Sequence, residues 1–188
     1  MKKLLTTAAI ALTLSSNALA ADYVRPMQYD NPESMFKWAE VLKKQPVKAG
    51  SGKPTLAKLM DVFSKAGGIQ YVEDYKQYDK WYKQPNPRFD YWATPAETLK
   101  NKAGDCEDFA LLWYYAAREA GFKPEQMAVV VGFLPKQESQ GHAILAAEVE
   151  GVEYVLDSYS MTIKPSEYYT EENFQVLYRV NENGWGVK

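Results

Sequence analysis

The chain of 188 residues is long enough for one domain with a substantial core, and its 46% hydrophobic and 14% aromatic content excludes a disordered protein. Its formal net charge is −2, and it becomes −4 once the first 20 residues, which include Lys2 and Lys3, are removed. Because this mildly acidic chain has no basic cluster, nucleic acid is not among its predicted partners.

The first 20 residues have the pattern of a secretory signal peptide. A positively charged start precedes an apolar run from Leu4 to Leu14, and a small-x-small cleavage site ends at Ala20. No later stretch approaches the roughly 20 apolar residues that a membrane-spanning helix needs. We therefore predict cleavage after Ala20, export without a membrane span, and a single domain over residues 21–188.

Two helices are predicted early in the mature chain. The cap, proline and acid of a helix start precede apolar residues at a spacing near 3.6, which predicts a helix over residues 32–44. After a loop that contains glycine and serine, a second helix should open at Pro54 and end at Gly67 and Gly68. The apolar face predicted for this second helix comprises Leu56, Leu59, Met60 and Phe63.

Two further helices are predicted before the lone cysteine. Aromatic residues at helical spacing predict a third helix from Ile69 to Lys83, whose rings should cover the core rather than stack on bases or sugars. A fourth, short helix should begin after Thr94, because Pro95 suits the first helical position and Glu97 lies three residues after the cap.

The most hydrophobic helix of the mature chain is predicted to follow Asp105, its expected cap, and to run to Ala120. Cys106, the only cysteine, therefore lies in its first turn. Since one cysteine cannot form an internal disulfide, the thiol is either buried and inert or kept for chemistry. The unpaired N–H groups and the dipole at a helix start favour a thiolate, and the Cys106 N–H can face a developing oxyanion. Position alone leaves the inert and the nucleophilic interpretations about equal.

The second half of the chain is predicted to form an antiparallel sheet. A tight turn is expected at Glu150 and Gly151, and a short helical piece at residues 165–169. Helices followed by antiparallel strands predict an α+β fold, in which the helix that carries Cys106 packs on the sheet. The strands are expected at residues 128–134, 142–149, 153–159 and 174–180.

The strand register suggests a pair of partners for the thiol. Counting outward from the turn places His142, the only histidine, on the same face as Asp157 and diagonal to it. A change of one residue in the loop would send Asp157 to the other face. Each residue also has a structural interpretation, His142 as a core histidine and Asp157 as a strand-end carboxylate. Together, however, the three are the parts of a cysteine hydrolase, in which Cys106 attacks a carbonyl, His142 transfers the proton and Asp157 orients the ring.

Four ordered blocks of sequence share one resemblance. They are Tyr91 to Leu99, Gly104 to Ala110, Gly141 to Leu145 and Tyr154 to Asp157. Over residues 69–159 the chain resembles the bacterial transglutaminase-like cysteine proteinases, which include the LapG-like periplasmic proteases. The resemblance implies a papain-like or transglutaminase-like cysteine protease fold, and a periplasmic cysteine protease or amidase that works through a thioester. It also implies that the catalytic triad is formed by Cys106, His142 and Asp157.

The resemblance further implies a calcium ion (Ca²⁺) beside the nucleophile. Asp105 and Glu107 match the acids that flank the cysteine in LapG-like enzymes, with Asp108 as a further candidate, and carboxylates are hard oxygen ligands that suit calcium. The same acids have a simpler interpretation, because acids cap helix starts and complement the helix dipole. For the second donor to the oxyanion, the candidates are Gln70 and Trp92.

The partners that the resemblance implies are a protein substrate, such as a large surface adhesin, and an inner-membrane cyclic-di-GMP receptor. Two departures from the family pattern leave the substrate open. No lysine closely follows Phe109 and Ala110, and Ser158 stands where an asparagine is common. Two other functions stay open: acyl transfer of the transglutaminase type, in which an amine resolves the thioester, and a non-hydrolytic binding module of the same fold.

Overall fold

The fold consists of a layer of helices packed against an antiparallel sheet. The computed structural model describes residues 33–78, 90–137 and 140–187. Within them the helices come first and the larger sheet follows, so the predicted α+β fold is confirmed. The predicted signal peptide lies outside the described residues. Among the helices that are described, none has the length and apolar character needed to cross a membrane.

The first two helices form close to the predicted positions. Helix α1 spans Glu33–Lys44 and helix α2 spans Leu56–Ser64. The prediction that Pro54 opens α2 is wrong, because the helix begins two residues later. The hydroxyl of Thr55 accepts the Lys58 N–H at 3.3 Å and caps it.

The buried face of α2 differs from the predicted one. Leu59 is fully buried, whereas Leu56 and Met60 on either side of it are 43% and 49% exposed. The helix packs on the core along a narrow stripe, so apolar residues at the margins of that stripe face solvent. Phe63 packs against the core, where its ring stacks on that of Trp113 with centroids 5.3 Å apart.

The third predicted helix is wrong over its first residues. Gln70–Tyr71 forms strand β1 instead, which pairs in parallel with strand β2 at Ala103–Gly104. A short helix α3 follows at Asp74–Gln77, and the predicted residues 79–83 lie outside the described part of the chain. The error has a physical cause: the pairing joins segments that are distant in sequence, and the spacing of local aromatic residues does not reveal it.

Helix α4, Pro95–Asn101, begins with the predicted capping box. The Thr94 hydroxyl accepts the Glu97 N–H at 3.3 Å, and the Glu97 carboxylate accepts the Thr94 N–H at 2.7 Å. Lys102 then takes a left-handed conformation with a φ of 53° and turns the chain from α4 into β2. The block of sequence before the cysteine therefore folds locally, as predicted.

The central helix α5 spans Cys106–Glu119, so the cysteine is its first residue. Most of α5 is buried, and its aromatic residues pack on one another, as Phe109 and Trp113 do edge to face at 5.7 Å. The chain just before α5 is tightly packed. A Cβ on Gly104 would lie 2.7 Å from the Cβ of Asp108, so only glycine fits at this approach.

The larger sheet contains six described strands in the order β6-β5-β4-β3-β7-β8, and neighbouring strands are antiparallel. The sequence does not predict β6 and β8, because edge strands of four residues carry little pattern. The predicted helical piece after β6 is a 3-10 helix at Ser166–Tyr168. The strands are β3 (Met127–Leu134), β4 (Gln140–Val149), β5 (Val152–Asp157), β6 (Thr162–Pro165), β7 (Gln175–Asn181) and β8 (Gly184–Val187).

The hairpin between β4 and β5 has the predicted turn. Glu150 and Gly151 have φ angles of 54° and 83°, the left-handed conformations that many two-residue hairpin turns need. The register places Leu145 opposite Leu156, as counting from the turn predicts. Strand β5 ends at Asp157 rather than at residue 159, because the chain turns there before it enters β6.

Candidate active site

Cys106 lines a cavity of about 360 Å³ at the junction of α5 and the sheet. The rest of the lining comes from β1, β3, β4 and β7, from the segment around α3, from the chain just before α4 and from the start of α5. The thiol is partly buried, and its Sγ donates a hydrogen bond to Glu107 Oε2 at 3.2 Å. As the first residue of α5, Cys106 has a backbone N–H without a partner inside the helix, which makes this N–H available to a ligand in the cavity.

His142, on β4, lines the same cavity and lies beside Asp157 at the end of β5. His142 Nε2 and Asp157 Oδ1 are 2.8 Å apart, and the two residues are only 3% and 7% exposed. The Cys106 side chain is close enough to the His142 ring to hydrogen-bond with it and to raise its pKa. The structure thus brings together the three residues that the sequence proposes as a triad.

Opposing effects set the pKa values of the His142–Asp157 pair. Burial lowers the pKa of His142, but the hydrogen bond with Asp157 and the proximity of Cys106 raise it to about 9. Burial raises the pKa of Asp157, but its hydrogen bond with His142 lowers it to about 2. Each residue favours the charged form of the other, so the pair is an imidazolium and a carboxylate at neutral pH.

The Asp157 carboxylate has further hydrogen-bond donors. Its Oδ1 accepts the Tyr159 N–H at 2.9 Å, while its Oδ2 accepts the hydroxyls of Ser160 at 2.9 Å and Tyr169 at 3.1 Å. Sequence reasoning does not identify Ser160 or Tyr169 as site residues, since both follow β5 in a segment without a motif. Both oxygens of the carboxylate are therefore held in place.

A cluster of acids surrounds the start of α5. Carboxylate oxygens of Asp74, Asp105 and Asp108 lie within 4.8 Å of one another, and those of Asp74, Asp90 and Glu107 form a second such group. The three acids named from the sequence thus fall in two groups that share Asp74: Asp105 and Asp108 in the first, and Glu107 in the second. The sequence does not identify Asp74 as a site residue, because its segment is predicted to lie inside a helix. It does not identify Asp90 either, because that residue ends the proline-containing segment that follows the third predicted helix.

The expected capping role of Asp105 is wrong for its side chain. No side-chain cap hydrogen bond forms, and Asp105 Oδ2 instead accepts the Asp74 N–H at 3.1 Å. Buried carboxylate oxygens without a donor are costly, and either protons or a cation would compensate them. Four described carboxylate oxygens of the cluster are buried and lack a donor: Asp74 Oδ1, Asp105 Oδ1, Glu107 Oε1 and Asp108 Oδ2.

The pKa values of the cluster reflect its crowding. Burial and the charge of Asp105 raise the pKa of Asp74 to about 8. Burial, with the nearby negative groups as a further cause, raises the pKa values of Glu107 and Asp108 well above their usual range. Each of these carboxyl groups therefore keeps its proton to a higher pH than usual, unless a cation neutralises the cluster.

Of the two candidate oxyanion donors, Trp92 lines the cavity and Gln70 does not. Tyr71, the neighbour of Gln70 on β1, lines it instead. Burial and then the proximity of Cys106 raise the pKa of the Tyr71 phenol, so this hydroxyl remains protonated near the thiol. Sequence reasoning misses Tyr71 because it expects a helix at this position.

Comparison with known families and curated proteins finds two matches of different extent. A family model described as a transglutaminase-like domain matches residues 20–183. The UPF0252 protein PH1321 of Pyrococcus horikoshii is 35% identical over 92 residues, which make up 49% of this chain. That match covers 26% of the relative, so the chain spans about a quarter of its length.

The structure is similar to that of LapG from Legionella pneumophila. The two share a TM-score of 0.58 and 21% identity, over 84% of this chain and 81% of LapG. Calcium-bound LapG gives the same TM-score with 22% identity over 86% and 81% of the two chains. EGTA-treated LapG gives 0.58 with 21% identity over 84% and 79%. At these identities the similarity establishes the fold, and the predicted transglutaminase-like fold is confirmed.

Proposed function

We propose that this chain, which belongs to the transglutaminase-like domain family, is a periplasmic cysteine protease or amidase. The observation that carries the proposal is the position of Cys106 at the start of α5, in one cavity with His142, whose Nε2 lies 2.8 Å from Asp157 Oδ1. A nucleophile at a helix N-terminus, a buried histidine and a carboxylate that orients it are the parts of a cysteine hydrolase.

The proposed reaction passes through a thioester. With the proton of the Cys106 thiol held on His142, as an imidazolium that Asp157 stabilises, Sγ attacks the carbonyl carbon of the substrate amide. The Cys106 N–H at the helix start holds the resulting oxyanion, with Trp92 as the candidate second donor. His142 then gives its proton to the leaving amine, and a water molecule that His142 deprotonates hydrolyses the thioester. Asp157 orients the ring and stabilises the imidazolium, in keeping with the raised pKa of His142.

Removal of the nucleophile tests the proposal. Wild-type protein and Cys106→Ala are incubated with periplasmic and surface proteins, and mass spectrometry identifies the new termini. We expect new termini with the wild type only, while circular dichroism and the melting temperature show that Cys106→Ala is folded. Asp61→Asn, at an exposed position of α2, is the control and should cleave as the wild type does. Full activity of Cys106→Ala would contradict the proposal.

Acyl transfer to an amine is the second candidate function. The family match favours it, because the matching domain is described as transglutaminase-like. In this reaction Cys106 forms the same thioester, and an amine in place of water resolves it. Incubation with a labelled primary amine and an acceptor protein separates the two. Incorporation of the label that depends on Cys106 indicates acyl transfer, and cleavage without incorporation indicates hydrolysis.

We further propose that the acid cluster binds calcium. The donor set fits this ion, because buried oxygen ligands that lack hydrogen-bond donors suit a hard cation. Asp74, Asp105, Glu107 and Asp108 would hold the ion, which would neutralise negative charge beside the nucleophile. The calcium-bound and EGTA-treated structures of LapG support this choice of ion.

Calorimetry and thermal unfolding test the calcium site without reference to activity. We expect Ca²⁺ to bind and to raise the melting temperature, and EGTA to reverse both effects. Asp74→Asn should weaken binding strongly, since Asp74 belongs to both groups of carboxylates, whereas Asp61→Asn should bind as the wild type does. An absence of calorimetric binding, together with an unchanged melting temperature in EGTA, would rule the site out.

We also propose export, with cleavage after Ala20 that leaves a single domain of residues 21–188. The family match begins at residue 20, where the predicted signal peptide ends. A large surface adhesin as substrate and an inner-membrane cyclic-di-GMP receptor as regulator are the partners that a LapG-like role implies. N-terminal sequencing of the protein from a periplasmic fraction should begin at Ala21, and a start at Met1 would contradict the proposed cleavage.

A further inference from the structure

Tyr169 reaches Asp157 from a part of the chain that carries no motif. After β5 the chain turns, forms β6 and the 3-10 helix at Ser166–Tyr168, and brings the Tyr169 side chain beside the carboxylate. The Tyr169 hydroxyl donates to Asp157 Oδ2 at 3.1 Å, and the Ser160 hydroxyl donates to the same oxygen at 2.9 Å. Oδ2 thus faces two hydroxyls, while Oδ1 faces the ring of His142.

Backbone hydrogen bonds and a buried aromatic ring hold the segment that carries Tyr169 against the site. The Tyr169 N–H donates to the Ser166 carbonyl at 2.9 Å, and the Phe174 N–H donates to the Thr170 carbonyl at 2.8 Å. Phe174 is 3% exposed, and its ring packs edge to face with Tyr169 at 6.3 Å and with His142 at 6.2 Å. One buried ring therefore contacts both the tyrosine and the histidine.

Two donors on one oxygen restrict the rotation of the Asp157 carboxylate. The terminal torsion of aspartate is broad, so a carboxylate held by one partner alone can turn. With Ser160 and Tyr169 on Oδ2, Oδ1 stays directed at His142 Nε2. Burial and the charge of Asp157 raise the pKa of Tyr169 to about 12, so its hydroxyl remains a donor at neutral pH.

We propose that Tyr169 is a positioning residue of the active site, whose hydroxyl, together with that of Ser160, fixes the Asp157 carboxylate in the orientation that aligns the His142 ring. Tyr169 does not line the cavity, so it acts through Asp157 rather than on the substrate. The inference rests on the proposed function, because it assumes that Asp157 orients His142 during turnover.

NMR titration of the histidine is the first test, and it needs no substrate. The chain has one histidine, so the signal of His142 has no competitor from the same side-chain type. Asp157 from β5 and Cys106 from α5 are the charged groups that act on this ring, and the variants below retain both. A carboxylate that turns away from the ring stabilises the imidazolium less, so the pKa of His142 should fall.

The variants separate the hydroxyl from the ring that carries it. Tyr169→Phe removes only the hydroxyl and keeps the aromatic contact with Phe174. Tyr168→Phe is the matched control, since its side chain is 61% exposed. We expect the pKa of His142 to fall in Tyr169→Phe and in Ser160→Ala, to fall further in the double variant, and to keep its wild-type value in Tyr168→Phe.

Turnover of a peptide from the cleavage experiment gives the second readout. Because one donor to a charged carboxylate is lost while the substrate contacts stay, kcat of Tyr169→Phe should fall about tenfold with KM nearly unchanged. Tyr168→Phe should keep the wild-type kcat. Melting temperatures near that of the wild type would show that the variants are folded. Ser160→Ala keeps the test available should Tyr169→Phe be unstable.

Two results would overturn the proposal. One is an unchanged His142 titration in Tyr169→Phe and in Ser160→Ala. The other is a loss of kcat in Tyr168→Phe as large as that in Tyr169→Phe. Failure of the proposed function is seen separately, as full activity of Cys106→Ala, because the NMR titration reports the alignment of His142 without any substrate.

Discussion

Asp157→Asn tests the charge of the His142–Asp157 pair directly. Asparagine keeps the shape of the side chain and can still accept hydrogen bonds from Ser160 and Tyr169, but it carries no charge. The substitution is best made in Cys106→Ala, because the thiol also acts on His142. The difference in the free energy of unfolding between Cys106→Ala with and without Asp157→Asn then measures the contribution of the ion pair.

The pKa values give the size of the expected effect. The pKa of Asp157 falls from 3.8 to about 2, which corresponds to about 2.5 kcal/mol of interaction. The pKa of His142 rises from 6.5 to about 9, and this larger change includes the effect of Cys106 as well as that of Asp157. Solvent in the cavity screens the pair and reduces the expected contribution to about 1–2 kcal/mol. A domain of this size should then lose roughly 2–8 °C in melting temperature.

The contribution depends on pH in a defined direction. Because the folded pKa of His142 is raised, its share of the stability is complete below pH 6.5 and is lost as the pH rises through about 9. Because the folded pKa of Asp157 is lowered, its share is complete above pH 3.8 and is lost as the pH falls through about 2. The effect of Asp157→Asn on the free energy of unfolding should be largest between pH 3.8 and 6.5.

Urea unfolding at about pH 5.5 and about pH 10 measures this difference on either side of the His142 transition. We expect Asp157→Asn to lower the free energy of unfolding at the acidic condition and to change it little at the alkaline one. Asp61→Asn in the same background controls for the loss of any one negative charge. Equal effects of Asp157→Asn at both pH values would refute the reasoning, because the charge of the pair would then contribute nothing.

Three other perturbations follow from the structure. Gly104→Ala should lower both the melting temperature and the calcium affinity, since its Cβ would lie 2.7 Å from Asp108 Cβ, whereas Gly141→Ala meets no atom within 4 Å and should keep the wild-type melting temperature. Thr94→Ala removes the cap of α4 and should cost about 1 kcal/mol in urea unfolding. In EGTA the free energy of unfolding should fall as the pH rises from 3.8 through about 8, because the folded pKa of Asp74 is raised; added Ca²⁺ should reduce this dependence.

The parts of the fold that depend on near neighbours in sequence could be predicted. The capping box joins Thr94 and Glu97, and the residues that set the β4–β5 turn are adjacent, so short patterns contain the information that is needed. That turn fixes the register, which brings His142 to Asp157. The proximity of these two residues could therefore be found by counting.

The parts that the sequence does not reveal depend on contacts between distant segments. The pairing of β1 with β2 replaces a helix that the local aromatic spacing predicts, and it carries Tyr71 to the cavity and Asp74 to the acid cluster. Ser160 and Tyr169 reach Asp157 only because β6 and a 3-10 helix fold the chain back. A serine in a turn and a tyrosine in a loop have no distinctive pattern, so geometry alone identifies them.

The lone cysteine lies between two sets of charged groups that differ in net charge. His142 and Asp157 form a pair that is neutral as a whole, whereas the acids around the start of α5 can only add negative charge. A thiolate at Cys106 would lie beside Glu107, whose Oε2 already accepts the thiol hydrogen bond at 3.2 Å. Two adjacent anions in a buried site repel each other strongly, so thiolate chemistry at this helix start requires the acid cluster to be neutralised. Protons do this below the raised pKa values of the cluster, and a bound divalent cation does it above those values as well. The proposed calcium site and the proposed nucleophile are therefore linked by electrostatics, even where the ion touches no substrate.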